Sequence, residues 1–128
     1  MKSYTDIEQS KKLAKILPHN TADNTWERVV ITGCNLDIPE ERQYVHRDIP
    51  FTFFSGIGVP CWSLAALLDV LPEINGVNLK FERVKAEDGY DGYYYHIEYE
   101  NKILIPYSKN PVDACYEMIL KLYEQKHL

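Results

Sequence analysis

Pro60-Cys61-Trp62-Ser63-Leu64-Ala65-Ala66-Leu67-Leu68-Asp69-Val70-Leu71-Pro72 is the least polar stretch of the chain, with a proline at each end. Leu64, Leu67, Leu68 and Leu71 recur at i, i+3, i+4 and i+7, the spacing of one helix face. The spacing predicts a helix, and its apolar character predicts that this helix is the central one of the core. The stretch organises packing and brings no chemistry of its own.

A helix is predicted on either side of it. Thr5-Asp6-Ile7-Glu8 has the form of a capping box, with the Thr5 hydroxyl and the Glu8 carboxylate satisfying the first amides reciprocally. Ile7, Leu13, Ala14, Ile16 and Leu17 form its apolar side, and Pro18 ends it. Towards the far end of the chain, Asn110 suits an N-cap, Pro111 the first helical position, and Asp113 the positive helix end. Val112, Cys115, Ile119 and Leu122 make the stripe of that helix, with Met118 beside it.

Between the helices the period falls to two. Residues 26–32 are rich in β-branched side chains and read as a strand. Residues 34–48 have no clear period and read as a loop or short helical turn. Phe51-Thr52-Phe53-Phe54 reads as a short strand after Pro50, and Ser55-Gly56-Ile57-Gly58 as the turn into the central helix. After the Asn75-Gly76 turn, Val77, Leu79 and Phe81 alternate with Asn78, Lys80 and Glu82. Asp88-Gly89 and Asp91-Gly92 mark a hairpin connection to a strand at residues 93–99. Glu100-Asn101 then turns into a last strand at residues 102–105.

The order is therefore α-β-β-α-β-β-β-α. Short turns between consecutive strands imply antiparallel pairing, so an α+β domain is expected: an antiparallel sheet of about five strands packed with three helices. At 128 residues, the length prior is a single domain, 1–128.

A formal net charge of -5 argues against a protein that binds the phosphate backbone of nucleic acid, which needs a basic stripe. Cys34, Cys61 and Cys115 are odd in number and far apart, with no CxxC pair. That argues against a disulfide framework and for a reducing cytoplasm. The first residues lead into a polar helix with no apolar run of signal-peptide type. No apolar segment reaches the roughly 20 residues of a bilayer span, so no membrane role is expected.

Three segments carry a resemblance. They are Tyr4-Thr5-Asp6-Ile7-Glu8-Gln9-Ser10-Lys11-Lys12-Leu13-Ala14 with Ile16-Leu17-Pro18, the run from Pro60 to Leu68, and Pro111-Val112-Asp113-Ala114-Cys115 with Glu117-Met118-Ile119-Leu120-Lys121-Leu122. Together they resemble a family of small uncharacterised proteins of gut bacteria of the Bacteroides group and their phages or integrated elements. The resemblance covers the three helices, about a third of the chain. It implies a bacterial or phage origin and assigns no site, because no activity is attached to that family.

Several constellations have the residue types of a site. Gly56-Ile57-Gly58-Val59-Pro60-Cys61 stands where a dinucleotide-binding turn would, but Cys61 replaces the third glycine and Pro60 removes an amide. The better reading is a flexible turn that lets Trp62 reach the core. Cys61 at a helix start is a candidate nucleophile, with His96 or His46 as the base it would need. Free cysteine is also among the most buried residue types. Cys34 and Cys115 are weaker candidates, Cys115 because it sits on an apolar stripe. His19, His46, His96 and His127 lack metal-ligand spacing. His96 and Glu98 share a strand face, which more simply reads as the wetter side of a sheet, so no metal and no cofactor is expected. Asp37, Glu40, Glu41 and Asp48 interleave with Arg42 and Arg47, the pattern of a solvated loop.

Tyrosine is the compositional exception, with 10 copies, several concentrated in one hairpin: Tyr90, Tyr93, Tyr94, Tyr95 and Tyr99. Tyr93, Tyr95, Ile97 and Tyr99 alternate with Tyr94, His96 and Glu98. Tyrosine offers large contact area with few rotatable bonds, which suits interfaces. It also suits cross-strand pairing that merely stabilises a hairpin. Tyr90, Tyr93, Tyr94, Tyr95, His96 and Tyr99 are accordingly the expected interaction surface of a non-enzymatic binding or adaptor protein. Its partner would be a second copy or a host protein. A small enzyme using Cys61 or His96 in a pocket, and an acidic nucleic-acid decoy, are the alternatives.

Overall fold

The computed structural model of the chain describes residues 2–29, 39, 42–71, 80–85, 93–99, 103–104 and 108–126. In chain order the elements are α1 (Ile7–Leu13), β1 (Asn24–Arg28), β2 (Tyr44–Arg47), β3 (Gly58–Cys61), α2 (Leu64–Val70), β4 (Lys80–Lys85), β5 (Tyr93–Tyr99), β6 (Ile103–Leu104) and α3 (Pro111–Glu124). Short 3-10 turns stand at His19–Thr21 and Phe51–Phe53. This is an α+β fold with three α-helices, as the periodicity implied. The strands differ from expectation: the described residues form two three-stranded antiparallel sheets, β2-β1-β3 and β4-β5-β6, rather than one sheet of about five strands. The chain divides into two compact units, Tyr4–Ala66 and Met1–Ser3 with Leu67–Leu128.

In the Tyr4–Ala66 unit, β1 is the central strand. Trp26 stands opposite His46 on β2 and Val59 on β3. The N-terminal segment and α1 lie over one face: α1 packs on β3, and Trp26 Nε1 donates to the Thr5 carbonyl at 3.0 Å. On the other face, Thr25 Oγ1 donates to the Ile49 carbonyl at 2.8 Å, and the Phe54 ring lies against Gly58.

Two strands arise where neither was expected. Residues 44–47, read as irregular, form β2. Residues 58–61, divided between a glycine turn and a helix, form β3. The reason is steric. A Cβ at Gly58 would lie 2.7 Å from the Trp26 carbonyl oxygen and 3.0 Å from the Phe54 ring, so the glycine permits β1 and β3 to approach. Pairing of Pro60 and Cys61 with β1 delays the helix to Leu64. The expected strand at residues 51–54 is a 3-10 turn started by Pro50, with the Phe53 amide donating to the Pro50 carbonyl at 2.9 Å.

The capping box of α1 is shifted by one residue. Asp6 is the N-cap: it accepts from the Gln9 amide at 2.8 Å, while Gln9 Oε1 accepts from the Asp6 amide at 3.2 Å. At the other end, the His19 imidazole donates from Nε2 to the Ala14 carbonyl at 2.9 Å and so closes an orphan acceptor.

In the second unit, β5 lies between β4 and β6, with Lys80 opposite Glu98 and Lys85 opposite Tyr93. Tyr95 also exchanges backbone bonds with Ser108, at 2.6 and 2.9 Å. α3 packs on β5. Its cap is as expected: Asn110 accepts from the Val112 and Asp113 amides at 2.8 and 3.4 Å. Asp113 pairs with Lys2 at 2.7 Å.

α3 buries Val112, Ala114, Cys115, Tyr116, Met118, Ile119 and Leu122. α2 is less enclosed. Leu67 and Leu71 are buried, but Leu68 is 37% exposed, so the leucine face is narrower than its spacing suggested. The deeply buried helix is thus α3, not the proline-bracketed stretch.

Candidate functional site

The polar groups of the Tyr4–Ala66 unit converge on Thr5, which is fully buried. Its amide donates to the Trp62 carbonyl at 2.9 Å, and its hydroxyl accepts from the Trp62 amide at 3.2 Å. The hydroxyl also lies 2.7 Å from Ser10 Oγ and 3.8 Å from Cys61 Sγ. Its carbonyl accepts from Trp26 Nε1 and, at 3.5 Å, from Cys61 Sγ. Thr5 therefore joins the start of α1 to the end of β3.

A second group surrounds Asp23. Ser63 donates to it from both its amide, at 2.9 Å, and its hydroxyl, and Asn24 Nδ2 donates at 2.9 Å. Burial pushes the Asp23 carboxyl up, but the Ser63 and Asn24 hydrogen bonds outweigh it and hold the group below its ordinary value. The Ser63 hydroxyl also accepts from the Ala66 amide at 3.2 Å, so it caps α2. It is committed as a structural cap, with no imidazole at its oxygen.

The chain of bonds continues to His46. Asn24 Oδ1 stands 2.9 Å from His46 Nε2. Because the Asn24 amide nitrogen faces Asp23, its oxygen must accept, which fixes the proton of a neutral His46 on Nε2. The imidazole stacks on Tyr4 with centroids 3.9 Å apart, and Trp26 meets both rings edge-on at 5.6 Å.

Cys61 lies at the end of β3, fully buried, and its sulfur meets the Thr5 hydroxyl and carbonyl. Burial pushes its thiol up to about 12, opposite to the shift that activates a nucleophile. Cys115 is pushed up to about 12 by burial alone. Cys34 and Tyr90 lie outside the described residues, as do the turns expected at residues 75–76, 88–92 and 100–101. Tyr93, Tyr94, Tyr95, His96 and Tyr99 all fall on β5, which confirms their common strand. Tyr95 corrects the expected surface: it is buried, because its strand is central and α3 packs on it. The Gly56-Ile57-Gly58 segment feeds an antiparallel strand, not the turn of a dinucleotide site.

Among the described residues, no group of three His, Cys, Asp or Glu side chains could hold a metal, and no helix is long and apolar enough to cross a membrane. Among the described residues, the two most exposed large apolar side chains fall within residues 45–57, while Leu68 and Tyr123 are exposed elsewhere. Phe53 is 80% exposed, Ile57 72%, Ile49 41% and Val45 38%. The Phe-rich run after Pro50 was visible in the sequence. Its alternation-free aromatic pattern does not tell which rings face water, and in the fold it is a 3-10 turn with Phe53 exposed. Against known proteins, no family model, no curated protein and no solved structure matches the chain.

Proposed function

We propose that this chain is a non-enzymatic binding or adaptor protein of the cytoplasm whose partner is another protein. The observation that carries the reading is the exposure of Phe53 and Ile57 beside a well-satisfied polar interior. Large apolar side chains held in water are costly, and Phe53 and Ile57 stand only four residues apart in the chain. To the interaction surface we assign Phe53 and Ile57, and we leave out Tyr95, which is buried. The two described thiols, Cys61 and Cys115, are free and buried, which supports a reducing compartment.

The enzyme alternative loses support at Cys61, which is enclosed and has its thiol held protonated. The decoy alternative loses support at its carboxylates. Asp6 caps α1, Asp23 serves Ser63, and Glu27, Glu82 and Asp113 pair with Arg47, Lys80 and Lys2. These five carboxylates are engaged within the chain and are not free to join a phosphate-like row.

The test is native mass spectrometry of tagged protein drawn from its own cytoplasm, alongside a Phe53→Ser, Ile57→Ser double variant. A stoichiometric protein partner is expected with the parent and roughly tenfold less of it with the folded variant. A bound small molecule in place of a protein would overturn the reading.

A further inference from the structure

The register of the β2-β1-β3 sheet determines which backbone groups face outward. The Val29 amide donates to the Gln43 carbonyl at 2.8 Å, so Glu27 with Val45 and Thr25 with Arg47 are hydrogen-bonded pairs. Tyr44 and His46 belong to the alternate, non-bonded pairs, and their N–H and C=O groups point away from β1. Among the described residues, nothing pairs with these outer groups. The edge is thus a row of two donors and two acceptors at two-residue spacing.

The other edges are guarded. On β3 the outward residues are Gly58 and Pro60, and Pro60 has no amide to offer. The β4 edge carries exposed Lys80, Arg83 and Lys85, the kind of charge that discourages strand pairing. β6 is two residues long, and Ser108 takes up the adjoining stretch of β5 at Tyr95. On β2 the one basic side chain, Arg47, belongs to an inward-bonded pair and is tied to Glu27 of β1, and Val45 and Ile49 leave apolar surface beside the strand.

We propose that the β2 edge takes an extended segment of the partner protein as a further strand of this sheet. The proposal rests on the protein-binding reading and gives it a mode. Only a polypeptide in extended form presents acceptors and donors at the matching two-residue spacing. Alternate side chains of the segment would lie beside Tyr44 and His46 on one face and beside Val45 on the other. The occupant is therefore an extended peptide segment of the partner with an apolar side chain on the face of exposed Val45.

The probe is a random library of short peptides, selected on the full chain. Retained peptides are expected to slow amide exchange at Tyr44 and His46 by roughly tenfold or more. They should bind Tyr44→Ala, which keeps the amide, and lose roughly tenfold on Tyr44→Pro, which removes it. If Tyr44→Pro does not fold, the exchange of the parent chain decides alone. Peptides that bind and leave both amides unprotected overturn the edge while the protein-binding reading stands. So does a library that yields no binder when the native partner is still captured through Phe53 and Ile57. Protection that grows with protein concentration in the absence of peptide gives the edge to a second copy and overturns the proposal. If neither peptide nor native partner binds, both readings fall.

Discussion

Thr5 shows how a residue's role follows from what encloses it. As a polar residue three before Glu8 it has the credentials of an N-cap. Enclosed beneath Trp26 and beside Trp62, it serves the core instead and leaves the cap to Asp6, whose carboxylate stays in water. Removing the hydroxyl strands the Trp62 amide, a buried donor with no water to replace its acceptor. Thr5→Val should therefore cost about 1–3 kcal/mol, although the shape is kept, and Thr5→Ser should recover much of the loss. Urea unfolding followed by tryptophan fluorescence measures both. Equal midpoints for Thr5→Val and the parent would mean the hydroxyl is not holding the α1 and β3 ends together. No sequence rule separates a capping threonine from a buried one, because the difference lies in long-range packing.

At the level of elements, the helices and the core of β1 were legible, and β2 and β3 were not. Asn110-Pro111 announced α3 because cap chemistry is local: the side chain that accepts from Val112 is two residues away. β3 was hidden because its determinant is the Trp26 backbone, more than thirty positions earlier, against which only a glycine at 58 fits. The leucine spacing of α2 was also only partly informative. It found the buried Leu67 but added Leu68, which remains 37% exposed. The two leucines should separate by calorimetry. Leu67→Ala is expected to cost about 2–5 kcal/mol through lost burial and a residual cavity. Leu68→Ala should cost less than about 1 kcal/mol. Similar costs for the two would mean that α2 buries a broader face than its exposures indicate. The candidate surface was legible in the same partial way: the apolar run at residues 51–54 stood out, but a run of aromatics does not say which of them face water.

At the scale of the molecule, each compact unit carries one described thiol deep in its interior, Cys61 in one and Cys115 in the other. Burial raises both to about 12 from an ordinary value of 9.0. The sign follows from proton binding. Between those values the unfolded chain releases the thiol protons while the folded chain keeps them, so the unfolded state binds fewer protons and stability falls as pH rises. Below the ordinary thiol value neither state ionises, and the thiols contribute no slope. The stability of each unit is therefore expected to be insensitive to its thiol up to about pH 9 and to decline progressively towards pH 12. Tyrosines titrate in the same window, so the informative quantity is a difference between proteins that share them. Cys61→Ala and Cys115→Ala should each lower stability at neutral pH by a constant amount and flatten the alkaline decline. Parallel curves of unfolding free energy against pH for parent and variants would show that the thiols ionise as readily in the folded chain as in the unfolded one. They would then be open enough to solvent to return Cys61 to consideration as a reactive group. Slow reaction of both thiols with an aromatic disulfide reagent at neutral pH, accelerating only on unfolding, is the companion result expected of the enclosed geometry.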